Sequence, residues 1–157
     1  TTPATGTSAL RASTGGRTPA SISTTASTGA APGPPSRPPP AAATSSNVQA
    51  TTVIHVRDPA TRRELARLAG DQQYVVTAGA FLVFCADLDR NRRACELQGG
   101  GFVAGMTEHF IIATIDVALF AQNCAIAAES LDLGICYIGG IRNHPEQVSV
   151  LFAPVVI

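Results

Sequence analysis

The segment from Phe102 to Leu131 restricts this chain more than any other. Read as a helix, it carries apolar residues on nearly every side: Ile111, Ile112, Ile115, Val117, Leu119, Phe120 and Ile126. A helix of that kind is buried in a core or crosses a membrane. Asp116, Gln122 and Asn123 interrupt its middle, and each is costly in lipid. The pattern therefore predicts a central buried helix of a soluble α/β domain, with a membrane span as the rival. Gly134 is expected to close it, and a short strand, Ile135-Cys-Tyr-Ile138, follows.

That strand runs into Gly139-Gly140, with Arg142 just beyond. Two glycines at a strand end let a ligand approach bare backbone, and the arginine adds a permanent cation. The same residues also describe an ordinary strand-to-helix turn with a surface arginine, and local pattern alone favours that plainer reading.

Composition divides the chain. Residues 1–43 are Thr, Ser, Ala, Gly and Pro, with Arg11, Arg17 and Arg37 as the only charges. Ala31-Pro-Gly-Pro-Pro-Ser-Arg-Pro-Pro-Pro40 can join neither a helix nor a central strand. With so few large apolar side chains, residues 1–43 read as a disordered tail. The folding unit is expected over 44–157. Formal net charge is zero, which gives no reason to expect nucleic acid or an acidic membrane as partner. Cys85, Cys95, Cys124 and Cys136 are scattered, and His55, His109 and His144 lie far apart. Reduced thiols of a cytoplasmic protein, with no metal site, are the expectation.

Within the folding unit, Thr51–Arg57 alternates and is β-branched, so a strand is expected. Asp58 and Pro59 read as the N-cap and first residue of a helix that buries Leu65 and Leu68 and ends at Gly70. Asp71 opens a second short helix through about Ala78. Ala80–Ala86 is continuously apolar and predicts a strand covered on both faces. Asp87–Gly101 reads as an exposed loop, and a helix is expected from about His144 through Phe152. Ala153–Ile157 looks like the start of a strand.

No catalytic side chain is visible. No nucleophile elbow, phosphate-binding loop or dinucleotide fingerprint occurs. Thr44-Ser-Ser-Asn-Val-Gln49 is a polar cluster suited to a phosphate or a heterocycle edge, or to an ordinary turn. Gly70-Asp-Gln-Gln-Tyr74 is similarly polar.

Taken in order, Thr44–Gln49, Gly70-Asp-Gln-Gln, Ala121-Gln-Asn-Cys-Ala-Ile-Ala-Ala-Glu-Ser-Leu131 and Leu133-Gly-Ile-Cys-Tyr-Ile-Gly-Gly-Ile-Arg-Asn143 resemble the nitroreductase family, and within it the oxygen-insensitive, NADPH-dependent nitro and flavin reductases. The resemblance covers about residues 44–152. It implies an α+β fold, with a mixed, mostly antiparallel sheet around a long central helix, and an intertwined homodimer holding FMN at its interface. Thr44, Ser45, Ser46, Asn47 and Gln49 would then approach FMN from the partner subunit. Gln72 would bond the flavin ring, and Tyr137, Ile138, Gly139 and Gly140 would lie along it. Arg142 would meet NADPH or substrate. The implied activity is ping-pong hydride transfer from NAD(P)H through FMN to a nitroaromatic, quinone or flavin.

Two departures accompany the resemblance. The basic Arg-Ser-x-Arg segment that grips the FMN phosphate in the family has no convincing counterpart, since Ser36-Arg37 sits among prolines. The family also continues past the position of Ile157. A chain truncated at both ends is therefore expected, possessing a partial domain behind a tail of foreign reading frame. The alternative function is a catalytically silent fragment or dimerisation module without a complete FMN site.

Overall fold

The computed structural model describes residues 42–103 and 105–152, together with the backbone of two strands nearer the N-terminus. Those strands are β1 (Thr7–Leu10) and β2 (Ser21–Ser27). A short 3₁₀ turn at Ser45–Asn47 leads into β3 (Thr51–Val56). Then come α1 (Pro59–Leu68), α2 (Gln73–Thr77) and β4 (Ala80–Ala86). They are followed by α3 (Asp89–Leu97), α4 (Thr107–Glu129) and β5 (Gly134–Tyr137). A second 3₁₀ turn, Gly139–Asn143, precedes α5 (Pro145–Phe152). The expected strand at 153–157 and the Ser36-Arg37 pair lie outside the described residues.

The strands form one sheet in the order β1-β3-β4-β2-β5, and every pairing is antiparallel. β4 is covered on both faces, as its unbroken apolar run requires. Phe81, Val83 and Cys85 point to one side and join Ile54, Val56, Leu65, Leu68, Val75, Ile138, Ile141, Val148 and Phe152. This is the larger core, beneath α1, α2 and α5. On the other side Phe84 meets Val117 and Ala121 of α4. Phe84 and Phe120 pack as tilted rings with centroids 6.2 Å apart.

Local chemistry explains most boundaries. Asp58 caps α1: its carboxylate accepts from the Thr61 backbone N–H at 2.8 Å and from the Thr61 hydroxyl at 2.6 Å. These bonds hold the Asp58 carboxyl below its ordinary value. Gly70, with φ of +82°, ends that helix through a conformation open to glycine. Arg62 of α1 donates to the carbonyls of Val75 and Ala78 at 2.8 and 2.5 Å, which fastens α2 to α1.

Four features differ from the sequence expectation. Thr7–Leu10 and Ser21–Ser27 pair in the sheet although no strand is expected before residue 44. Thr7 in the first and Ile22, Thr24 and Thr25 in the second suit an extended backbone even without an alternating pattern. Asp87–Gly101 is not a loop throughout, because α3 lies within it. The Asp87 carboxylate accepts from the Asp89 backbone N–H at 2.8 Å ahead of that helix. Arg92 and Arg93 then reach back to Asp89, and Arg92 also to Glu96, at helical spacing. α2 begins at Gln73 behind Gln72, not at Asp71, which has φ of +59°. The long helix ends at Glu129, and Gly134 instead opens β5.

A further difference concerns how α4 is buried. Its sheet-facing stripe is mostly small: Ala113, Val117, Ala121 and Ala125, with Asp116 among them. Its large side chains face outward instead. Phe110, Ile111, Ile115, Leu119 and Ile126 are each about half exposed. α4 is also long and apolar enough to cross a membrane by length and composition. One side of it, however, is already occupied by the sheet.

Candidate functional site

Thr44–Gln49 forms a strained turn. Ser46, Asn47 and Gln49 all have positive φ (51°, 55° and 52°) although none is glycine. Left-handed backbone at such residues persists only where the surroundings enforce it, and it clusters at functional sites. Here the enforcement is visible. The Asn91 side chain donates to the Val48 carbonyl at 3.0 Å, and Arg90 donates to the Gln49 carbonyl. The Ala50 N–H donates to the Asp116 carboxylate at 3.1 Å, and the Ala50 carbonyl accepts from the Asp87 N–H at 3.1 Å. Within the turn, the Gln49 N–H reaches the Thr44 hydroxyl at 3.3 Å, and the Gln49 amide donates to Asn47 Oδ1 at 2.8 Å. The backbone is thus tied inward while Ser45, Ser46, Asn47 and Gln49 stay exposed.

Gln72 and the Tyr137–Arg142 segment form a second group. Gln72 is exposed at the mouth of α2, and its N–H donates to the Ala66 carbonyl at 3.1 Å. Ile138 is buried in the larger core, so its side chain belongs to packing. Tyr137 is 44 % exposed, and its hydroxyl donates to Gln122 of α4 at 3.3 Å. The glycine pair has structural work of its own. A Cβ at Gly140 would fall 2.9 Å from the Ala69 carbonyl carbon and closer still to its oxygen. At Gly139 the space a Cβ would take is occupied by the Arg142 guanidinium, 2.7 Å away, the far end of a flexible chain.

The start of β3 and the end of β5, which adjoin the two groups, lie toward the same end of the sheet. Thr51 pairs with Ala86, and Thr24 pairs with both Leu82 and Tyr137. The start of β3 and the end of β5 therefore point the same way. β4 and β2 stand between them, which separates the two by three strand spacings, or about 14 Å.

Residues 25–152 match the model of the nitroreductase family. The chain belongs to the nitroreductase family. The FMN reductase (NADPH) of Bacillus subtilis is 53% identical over 108 residues, covering 68% of this chain and 43% of that protein. The Cr(VI) reductase of a Pseudomonas species is 47% identical over 109 residues, covering 69% and 45%. Among solved structures, a Bacillus subtilis nitroreductase aligns with a TM-score of 0.69 at 51% identity, covering 72% of this chain and 47% of that one. The NADPH:FMN oxidoreductase of Vibrio harveyi, complexed with NAD+, aligns with a TM-score of 0.67 at 42% identity, covering 72% and 47%. The nitroreductase-like fold expected from the sequence is thereby established. The chain spans somewhat under half the length of these relatives.

The bracing residues Arg90, Asn91 and Asp116 escaped the sequence reading. Arg90 and Asn91 sit in a segment read as loop. Asp116 carried a signal, as an acid in the middle of an apolar helix, but nothing in the sequence says which backbone group it meets.

Proposed function

We propose that this chain carries FMN-contacting parts of an NAD(P)H oxidoreductase that reduces nitroaromatics, quinones or flavins. The observation that carries the reading is the Thr44–Gln49 turn, whose backbone is held in strain while its polar side chains are presented outward. Hydroxyls and amides so presented fit the ribityl and phosphate oxygens of FMN. Gln72 would hydrogen-bond the ring edge, backbone around Tyr137–Gly140 would line it, and Arg142 would hold the anionic cofactor or substrate. Bound FMN would supply the hydride chemistry. The residues here would bind and orient, since none is arranged as an acid–base pair. Substrate preference within the class follows from the same resemblance; relatives named as FMN, nitro and Cr(VI) reductases support it.

The site reading includes a homodimer in the cytoplasm. Two observations favour it: the outward apolar face of α4, and the lateral separation of the two polar groups, which a second copy would bridge. None of the four cysteines is in a disulfide, in keeping with a reducing compartment.

Titrating the purified chain with FMN, read by flavin fluorescence and visible spectrum, tests the proposal. Saturable quenching with a shifted spectrum, followed by bleaching on addition of NADPH, is the expected result. FMN that stays free at millimolar concentration would leave the dimerisation module as the better description.

A further inference from the structure

Asp116 is 1% exposed, in the middle of an otherwise apolar helix. A buried carboxylate is kept only where its partner repays desolvation. Its partner is the N–H of Ala50, itself fully buried, at the foot of the strained turn. The two residues come from elements far apart in sequence, and the bond joins α4 to the segment entering β3. The neighbouring braces act on carbonyls: Asn91 on Val48, Arg90 on Gln49, and the Asp87 N–H on Ala50. Among these bonds, Asp116 alone holds an N–H of the segment, and it alone comes from the central helix.

We propose that Asp116 is a positioning residue, which fixes the height and orientation of the Ser45–Gln49 turn relative to α4 by anchoring the Ala50 amide. The inference concerns the turn itself; its consequence for ligand binding rests on the FMN reading above. A turn anchored to α4 moves with the face on which a second copy is proposed to sit.

Amide hydrogen exchange on the full chain, without added FMN, is the direct test. In the unaltered protein the Ala50 amide exchanges slowly. Asp116→Ala raises exchange at Ala50 and across 45–49 at least about tenfold, the factor expected for one lost bond to a charged acceptor. Ile54 and Val83 keep their protection. Asp116→Asn, which retains an acceptor oxygen, recovers most of the effect. Asn91→Ala loosens Val48 and Gln49 while Ala50 stays protected. Exchange at 45–50 that is unchanged in Asp116→Ala, or that rises equally at Ile54 and Val83, overturns the proposal. If Asp116→Ala does not fold, the unaltered protein still decides, because a rapidly exchanging Ala50 amide overturns it. FMN affinity is measured alongside and falls about tenfold in Asp116→Ala. Altered exchange in a chain that never binds FMN would sink the flavin reading and leave the positioning role standing.

Discussion

Gly140 lies against the backbone of Ala69, so closely that a Cβ at 140 would meet the Ala69 carbonyl carbon at 2.9 Å and its Cα at 3.1 Å. The obstacle is main chain at the end of α1, which cannot swing aside. Gly140→Ala should therefore destabilise the fold by about 1–3 kcal/mol, as overpacking does. Gly139→Ala should cost less, because only the Arg142 guanidinium stands in the way. Urea denaturation of both variants checks the order; a larger loss at 139 would contradict it.

Asp58 gives a pH signature. Its hydrogen bonds to Thr61 lower its folded-state value from 3.8. The stabilisation is then present above that ordinary value and fades as pH falls through the lower, folded one. Asp58→Ala should be less stable than the unaltered chain at neutral pH, and the gap should close in strong acid. A gap that persists unchanged in acid would refute the cap's contribution.

Burial pushes the Cys85 thiol up to about 12 and Cys124 to about 11. Both remain protonated in the fold at pH values where an unfolded thiol, near 9.0, ionises. Stability should thus decline as pH rises above about 9. An alkylating reagent at pH 8 should modify the exposed Cys136 first and Cys85 only after unfolding. Prompt labelling of Cys85 in the folded protein would contradict its placement.

The outward face of α4 predicts assembly. Replacing both Ile115 and Leu119 with Glu should weaken the proposed dimer by at least about a hundredfold, since each lost apolar contact occurs twice across a twofold axis. The helical content should be kept. Sedimentation velocity reads the outcome, and an unaltered sedimentation coefficient would exclude this face as the interface.

Among the described strands, β2 alone joins β5 to the rest of the sheet, and Thr24 within it pairs with both Leu82 and Tyr137. Thr24→Pro removes a ladder donor there. Amide exchange at Ile135–Tyr137 should rise while Val53–His55, paired with β4, stays slow. Equal exchange in both proteins would mean that residues 21–27 behave as the tail their composition suggests.

Much of this fold was legible in the chain because it follows from local chemistry. β-branched alternation marked β3, Asp58-Pro59 marked the start of α1, the apolar run at 80–86 marked a doubly covered strand, and the long apolar segment marked α4. α3 was not legible, because its stability comes from ion pairs between Asp89, Arg92, Arg93 and Glu96 and not from an apolar stripe. The motifs that resemble the nitroreductases were legible too, and the family they pointed to is the one the chain belongs to; the roles they imply for Thr44–Gln49, Gln72 and Tyr137–Arg142 are part of the proposed function.

What the sequence determined by itself was therefore the kind of elements and the family, since periodicity, caps and motif order are properties of neighbouring residues. Only the tertiary structure decided what Asp116 holds, why Gly140 bears no side chain, and which half of α4 is left outward. Those depend on atoms from distant segments meeting at van der Waals or hydrogen-bond distance, as Asp116 meets Ala50 and Gly140 meets Ala69, and no local pattern encodes such meetings.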